Sequence, residues 1–371
     1  MKKIQVFANI ILVTLLLFIL SNVLLAAIWE IRTKIKFNYS SFKAFDEVVG
    51  EALNLNEKEL NQLYIETYIY TKYDYEQWVE HSENNSYDNK FVNVTPELGR
   101  KTISPKNCKK NVFFYGGSTA FGYGVTDNQT IASYLGQIFI DNNNEVCVKN
   151  FGRGSYFSTQ ETILFQKHLL NKRIKKNDII IFLDGVNENG NSPSRNTRFL
   201  YEAQKLLQQR PWDMYKLTFY TFIESLPIIQ FANRLITKSK APKKGEYLEE
   251  SIFDIPQETK FVYEQNISFR NSICEKLNIY CYNLLQPFAT VHGKYFDKPS
   301  EGIFYNMIVQ PNFSKQLSDK YEILKETFGI IDISDSFKET DPLSYIDGIH
   351  YSPSGNRIIA ERIYKIIKDN L

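Results

Sequence analysis

An α/β fold is predicted by three features of this 371-residue chain: a three-layer α/β/α sandwich around a mostly parallel, flavodoxin-like sheet of five strands, preceded by one transmembrane helix. From Asn111 onward, short apolar runs alternate with helical patterns, the signature of parallel βαβ units. These runs end in polar or glycine-containing turns, and ligands of such sheets bind beyond the carboxyl ends of the strands. Ahead of them, Phe7 to Ile28 is an almost unbroken apolar stretch, and about 20 such residues span a bilayer.

Residues 1–30 are therefore predicted to be an uncleaved anchor, because Leu25-Ala26-Ala27 matches a signal-peptide cleavage site poorly. Lys2 and Lys3 on one flank nearly balance Arg32, Lys34 and Lys36 on the other, so the positive-inside rule does not orient the helix. Residues 31–105 are polar and tyrosine-rich, with helical periodicity around Phe42 to Ile69; they are read as a helical stalk and cap. The main domain, 106–371, holds the five strand runs: Val112–Tyr115, Val146–Asn150, Ile179–Leu183, Asn278–Leu284 and Ile330–Ile333. Between the third and fourth runs lies an insertion, about residues 189–264, too long for one crossover helix. It carries Arg195, Arg198 and a basic stretch from Lys238 to Lys244.

Composition narrows the function. A hydrophobic content of 43% excludes a disordered chain, and 44 basic against 42 acidic residues give no electrostatic case for a nucleic-acid partner. The 27 Phe and 24 Tyr suit well-filled cores and also a sugar-stacking cleft. Four cysteines admit two pairs, Cys108 with Cys147 and Cys274 with Cys281, or equally four buried thiols. The paired reading fits an extracytoplasmic (periplasmic) catalytic domain on a single-pass membrane protein. No CxxC or histidine-rich cluster occurs, so neither a metal nor any other cofactor is expected.

The run Phe113-Phe114-Tyr115 ends in Gly116-Gly117-Ser118-Thr119. A strand that turns sharply into a helix can hold a serine hydroxyl where backbone N–H groups favour negative charge. The same turn equally suits a serine that only caps the helix. Far downstream, Asp347-Gly348-Ile349-His350 puts a carboxylate three residues from an imidazole, just before a helix start at Ser352-Pro353. Acyl transfer to serine needs a nucleophile, a base, a group orienting the base and oxyanion donors. Ser118, His350 and Asp347 supply the first three. The backbone N–H groups of Ser118 and Gly152 and the side-chain amide of Asn187 supply the oxyanion donors. Taken singly, the Asn150–Ser155 and Asp184–Glu188 segments read as ordinary turns. His168 reads as structural, whereas His292, Arg153, Arg195 and Tyr156 stand near strand ends.

With these residues in this order, residues 110–371 resemble the SGNH (GDSL-like) hydrolase superfamily in its membrane-anchored bacterial form. Gly116-Gly117-Ser118-Thr119 is similar to its first block, Asn150-Phe151-Gly152 to the second, Gly185-Val186-Asn187-Glu188 to the third and Asp347-Gly348-Ile349-His350 to the last. The resemblance implies Ser118 as nucleophile, Gly152 and Asn187 in the oxyanion hole, and Asp347 and His350 completing a catalytic triad. Glu188 departs from the pattern, which has aspartate there, and so bears on the geometry of that loop. Other motifs fit less well: the turn lacks the second glycine of the G-x-S-x-G elbow, and no P-loop lysine follows any glycine run.

The expected function is a serine esterase acting on acyl esters, acetyl above all, of a cell-envelope glycan or another small ester. An O-acyltransferase that delivers the acyl group to a sugar hydroxyl is the alternative, and a non-catalytic glycan-binding protein is a further one.

Overall fold

The computed structural model describes residues 2–39, 46–71, 74–82, 86–188, 215, 219–220, 222–238, 256–289, 311–337, 344–347 and 349–371. The chain divides into two compact units, residues 1–40 with 193–252, and residues 41–192 with 253–371.

In the first unit, α1 (Lys2–Tyr39) has a mean hydropathy of 2.8 over its most apolar window. Among the described residues it is the one helix long and apolar enough to cross a membrane. In the second unit come α2 (Asp46–Leu53) and α3 (Glu57–Ile65), in the region where helical periodicity predicts them. Asn56 caps α3 through a reciprocal capping box with Glu59. Five short strands follow: the hairpin β1 (Asp74–Glu76) and β2 (Glu80–Ser82), then β3 (Tyr87–Asp88), β4 (Asn93–Thr95) and β5 (Gly99–Arg100).

The main alternation runs β6 (Lys110–Gly116), α4 (Ser118–Phe121), α5 (Ile131–Asp141), β7 (Val146–Asn150), α6 (Ser158–Leu170) and β8 (Ile179–Asp184). Helix α7 (Pro227–Lys238) belongs to the first unit. The second unit resumes with α8 (Pro256–Leu277), β9 (Tyr280–Leu285), α9 (Pro311–Lys325), β10 (Ile330–Asp332) and α10 (Pro353–Ile367).

The five predicted strands are β6 to β10, and they lie in the order β7-β6-β8-β9-β10, all parallel. Numbered along the chain this is 2-1-3-4-5, the flavodoxin-like order, with its switch point between β6 and β8. The sheet is nonetheless eight strands wide, not five. Beyond β7, β5 pairs parallel, and β4 and β3 then pair antiparallel. These additions come from residues 87–100, within the segment read as a helical stalk and cap.

Strand periodicity explains the layers. Val112 and Phe114 of β6 and Ile179, Ile181 and Leu183 of β8 bury with α5 and α10 on one face. Phe113, Tyr115, Ile180 and Phe182 bury with α6 and Cys274 of α8 on the other. Strands covered on both faces read as continuous apolar runs, so the sequence alone makes them visible. Cys108–Cys147 and Cys274–Cys281 both form disulfides, with Cα atoms 5.5 and 6.1 Å apart.

Candidate active site

The switch point between β6 and β8 is where the sequence-predicted residues meet. After β6 the chain turns through Gly116 and Gly117, and Ser118 becomes the first residue of α4. A Cβ on Gly117 would lie 2.4 Å from Asn187 Nδ2, so glycine here lets the Asn187 amide lie against the serine turn. A Cβ on Gly152 would lie 2.3 Å from the backbone nitrogen of Phe121, which packs the β7 loop against α4. As a first-turn residue, Ser118 has an N–H without an intrahelical acceptor.

His350 Nε2 lies 2.9 Å from Ser118 Oγ, and His350 Nδ1 lies 2.6 Å from Asp347 Oδ2. Asp347 Oδ1 accepts the backbone N–H groups of Ile349 and His350, at 3.0 and 2.8 Å. This closed turn holds the carboxylate beside the imidazole, and Ser352 caps α10 immediately afterwards. His350 and Asp347 are buried, whereas Ser118 is half-buried. The Tyr123 ring stacks on His350 with centroids 5.5 Å apart. Gly348 of this motif lies outside the described residues, as do Arg195, Arg198 and His292.

Two expected oxyanion donors are already partly engaged. Asn187 Nδ2 donates to Tyr156 O at 3.0 Å, which leaves the second hydrogen of the amide for a ligand. The Gly152 N–H donates to Asn150 Oδ1 at 3.0 Å, while Asn150 Nδ2 donates to Ala120 O at 2.9 Å. Asn150 therefore ties the β7 loop to α4. Arg153 and Tyr156 serve packing: Arg153 Nη1 bonds Glu76 at 2.7 Å and Tyr156 Oη at 2.9 Å. Burial raises the pKa of Glu76, but Arg153 and Lys167 outweigh it and hold the carboxyl at about 2. His168 accompanies Tyr115, with Nδ1 2.7 Å from Tyr115 Oη, in the core as expected.

The structure adds supporting residues that the sequence reading missed. Arg100, fully buried, reaches the carbonyls of Phe121 (3.0 Å), Gly122 and Val125 (2.6 Å), and its Nε lies 3.1 Å from Asp127 Oδ1. It thus satisfies the carbonyl end of the short helix that begins at Ser118. Arg100→Met is expected to cost about 3–5 kcal/mol in denaturant unfolding, because Asp127 and three carbonyls lose a buried partner. A cost below about 1 kcal/mol would refute the clamp.

Glu188, where the resembled pattern has aspartate, is buried, and it accepts both the N–H of Ser158 (2.9 Å) and its hydroxyl (2.6 Å). It therefore caps α6 from the far side of the Asn187 loop. Beneath it, Arg270 donates to Asp184 (2.7 Å), Ser158 O (2.7 Å), Thr162 (2.8 Å) and Glu161 (3.4 Å). One guanidinium thus faces three buried carboxyls. Burial, reinforced by the negative charge of Asp184, pushes Glu188 up to about 8, and the same two causes raise Glu161.

A group raised in the folded state holds a proton that the unfolded chain releases above its ordinary value of 4.5. Its contribution to stability is complete below that value and is lost as pH rises towards about 8. Glu188→Gln is therefore expected to flatten the fall in unfolding free energy across this window by more than about 1 kcal/mol, read from denaturant unfolding at several pH values. An unchanged slope would remove Glu188 as its source.

No family model matches the chain, and no curated protein matches it. Among solved structures, it is similar to LAE5, described as an α/β hydrolase from the metagenome of Lake Arreo, Spain, at 11% identity and a TM-score of 0.39, covering 71% of this chain and 98% of that one. It is also similar to a lipase/acylhydrolase from Enterococcus faecalis, at 14% identity and a TM-score of 0.38, covering 71% and 97%. A third is Axe2, an acetylxylan esterase from Geobacillus stearothermophilus, at 13% identity and a TM-score of 0.35, covering 70% and 95%. At these values the likenesses carry no argument about chemistry, which rests on the site's own atoms.

Proposed function

We propose that this chain is a membrane-anchored serine ester hydrolase of the SGNH type, acting on acetyl or other short acyl esters of a cell-envelope glycan. The observation that carries the reading is the continuous hydrogen-bonded chain from Ser118 Oγ through His350 to Asp347. His350 Nε2 takes the Ser118 proton as Oγ attacks the ester carbonyl, and Asp347 stabilises the imidazolium that forms. The Ser118 N–H and the free hydrogen of the Asn187 amide stabilise the oxyanion. Gly152 joins them only if its N–H is shared between Asn150 Oδ1 and the substrate oxygen; otherwise it serves by admitting α4 closely. His350 returns the proton to the leaving alcohol, and water then releases the acid from Ser118 by the same steps.

The transferase reading differs only in the acceptor: a sugar hydroxyl takes the place of water. The apolar α1 supports an anchored protein whose substrates are those of the envelope, and both disulfides support an oxidising, extracytoplasmic location. The deciding experiment gives the full-length protein an acetylated glycan, with and without an unacetylated acceptor, and measures free against transferred acetate. Free acetate at equal rate in both arms supports the esterase. Acetyl appearing on the acceptor in place of free acetate supports the O-acyltransferase. Glycan binding without turnover of any ester would support the non-catalytic alternative and overturn both enzymatic readings.

A further inference from the structure

The anchor helix carries an amide where hydrocarbon would surround it. The apolar run Phe7 to Ile28 has its midpoint between Leu17 and Phe18. At 1.5 Å per residue, Asn22 stands about 7 Å from that midpoint. That is about 8 Å inside the edge of a hydrocarbon core about 30 Å thick. Asn22 Nδ2 is satisfied by Phe18 O at 2.9 Å, and Asn22 Oδ1 accepts the backbone N–H of Ile228 at 3.2 Å. Ile228 therefore lies at the same depth as Asn22. Ser21, Asn22 and Leu25 are the half-buried residues of the otherwise exposed α1 segment 2–31, and they mark the stripe on which α7 packs.

The start of α7 meets the requirement that lipid imposes, since a backbone donor there has no water to turn to. Pro227 has no N–H. Ile228 gives its N–H to Asn22, and Ile229 and Gln230 both give theirs to Leu226 O at 3.0 Å. The Leu226 N–H goes to Ile223 O at 3.1 Å. The side chains around this turn suit the same medium: Phe219, Tyr220 and Phe222 are each about 60% exposed, and Phe231 is 47% exposed. Between Phe219 and Ala232, Glu224 is the single charged residue. From the depth of Ile228, a helix running outward along the bilayer normal reaches the hydrocarbon edge after about six residues, at Arg234, and the headgroups at Lys238.

We propose that residues 219–220 and 222–238 belong to a second membrane-seated element that includes α7, docked on α1 through Asn22 and immersed in lipid. This part of the insertion is then membrane-contacting, and the chain meets the bilayer at two points along its sequence. This inference rests on the anchor reading of α1, and the test separates the two.

The full-length protein is reconstituted in vesicles of phosphatidylcholine and phosphatidylglycerol containing doxyl-labelled lipid quenchers. Leu16→Cys, Phe231→Cys and Ile140→Cys each carry an environment-sensitive fluorophore; the four native cysteines are paired, so they stay unlabelled. The label at position 231 is expected to be quenched several-fold more than that at 140, and by a shallower quencher than the label at 16. Quenching at 16 with none at 231 overturns the second element and leaves the anchor standing. Quenching at 231 without quenching at 16 removes the anchor and with it the docking on α1, and quenching at neither removes both. Phe222→Cys repeats the measurement in case the change at 231 disturbs α7. Asn22→Leu is expected to reduce quenching at 231 about twofold while leaving position 16 unmoved. An unchanged signal at 231 would overturn docking through Asn22.

Discussion

Ser118→Ala is expected to abolish covalent labelling by a fluorophosphonate and to lower turnover of a short-chain aryl ester by about 10⁶-fold. The change removes the hydroxyl oxygen placed 2.9 Å from His350 Nε2. Nearby hydroxyls cannot replace it: Thr119 Oγ1 is buried and donates to Gln286 at 2.7 Å. Stability should change by no more than about 1 kcal/mol, because a single half-buried hydrogen bond is lost. A folded variant that still labels and turns over ester would end the nucleophile assignment. A folded variant that does neither, yet still binds glycan, would separate chemistry from recognition at this site.

The parallel centre of the fold was legible because burial on both faces writes itself into sequence as apolar runs such as Val112–Tyr115 and Ile179–Leu183. The three strands that widen the sheet were not legible. They are two or three residues long, hold polar residues and Gly99, and depend on tertiary partners such as the Arg100–Asp127 ion pair. Sequence periodicity has no purchase on segments that short.

The site divides along the same line. Ser118, Asp347 and His350 were legible because each sits in a local turn whose chemistry is written within a few neighbours. Arg100, Arg270 and Glu161 were not, since a charged residue in sequence reads as a solvated face until a distant partner is known. Glu188 is an intermediate case. Its departure from aspartate was visible, but its consequence, a buried cap on α6 at Ser158, depends on a contact across 30 residues. Tyr123 stands between Gly122 and Gly124, both with positive φ, directly after the serine helix, yet two glycines in sequence do not say that the ring will stack on His350.

Asp347→Asn tests whether the carboxylate works by orienting the base, and it is expected to lower kcat by about 10⁴-fold while leaving the fold intact. The direction follows from the turn itself. Asp347 Oδ1 accepts two backbone N–H groups, so the oxygen of an asparagine at 347 must stay in that position and its NH₂ must face His350 Nδ1. His350 Nδ1 then has to accept, which moves the ring proton to Nε2, facing Ser118 Oγ. In that tautomer the imidazole offers the serine a proton where it should receive one. Fluorophosphonate labelling should be slowed by a comparable factor without being abolished, and the unfolding free energy should hold within about 1 kcal/mol. Asp347→Ala, by contrast, leaves the N–H groups of Ile349 and His350 without an acceptor and should destabilise the turn as well. A rate for Asp347→Asn within tenfold of the parent would show that the backbone alone fixes the imidazole, leaving Asp347 a structural part of the turn.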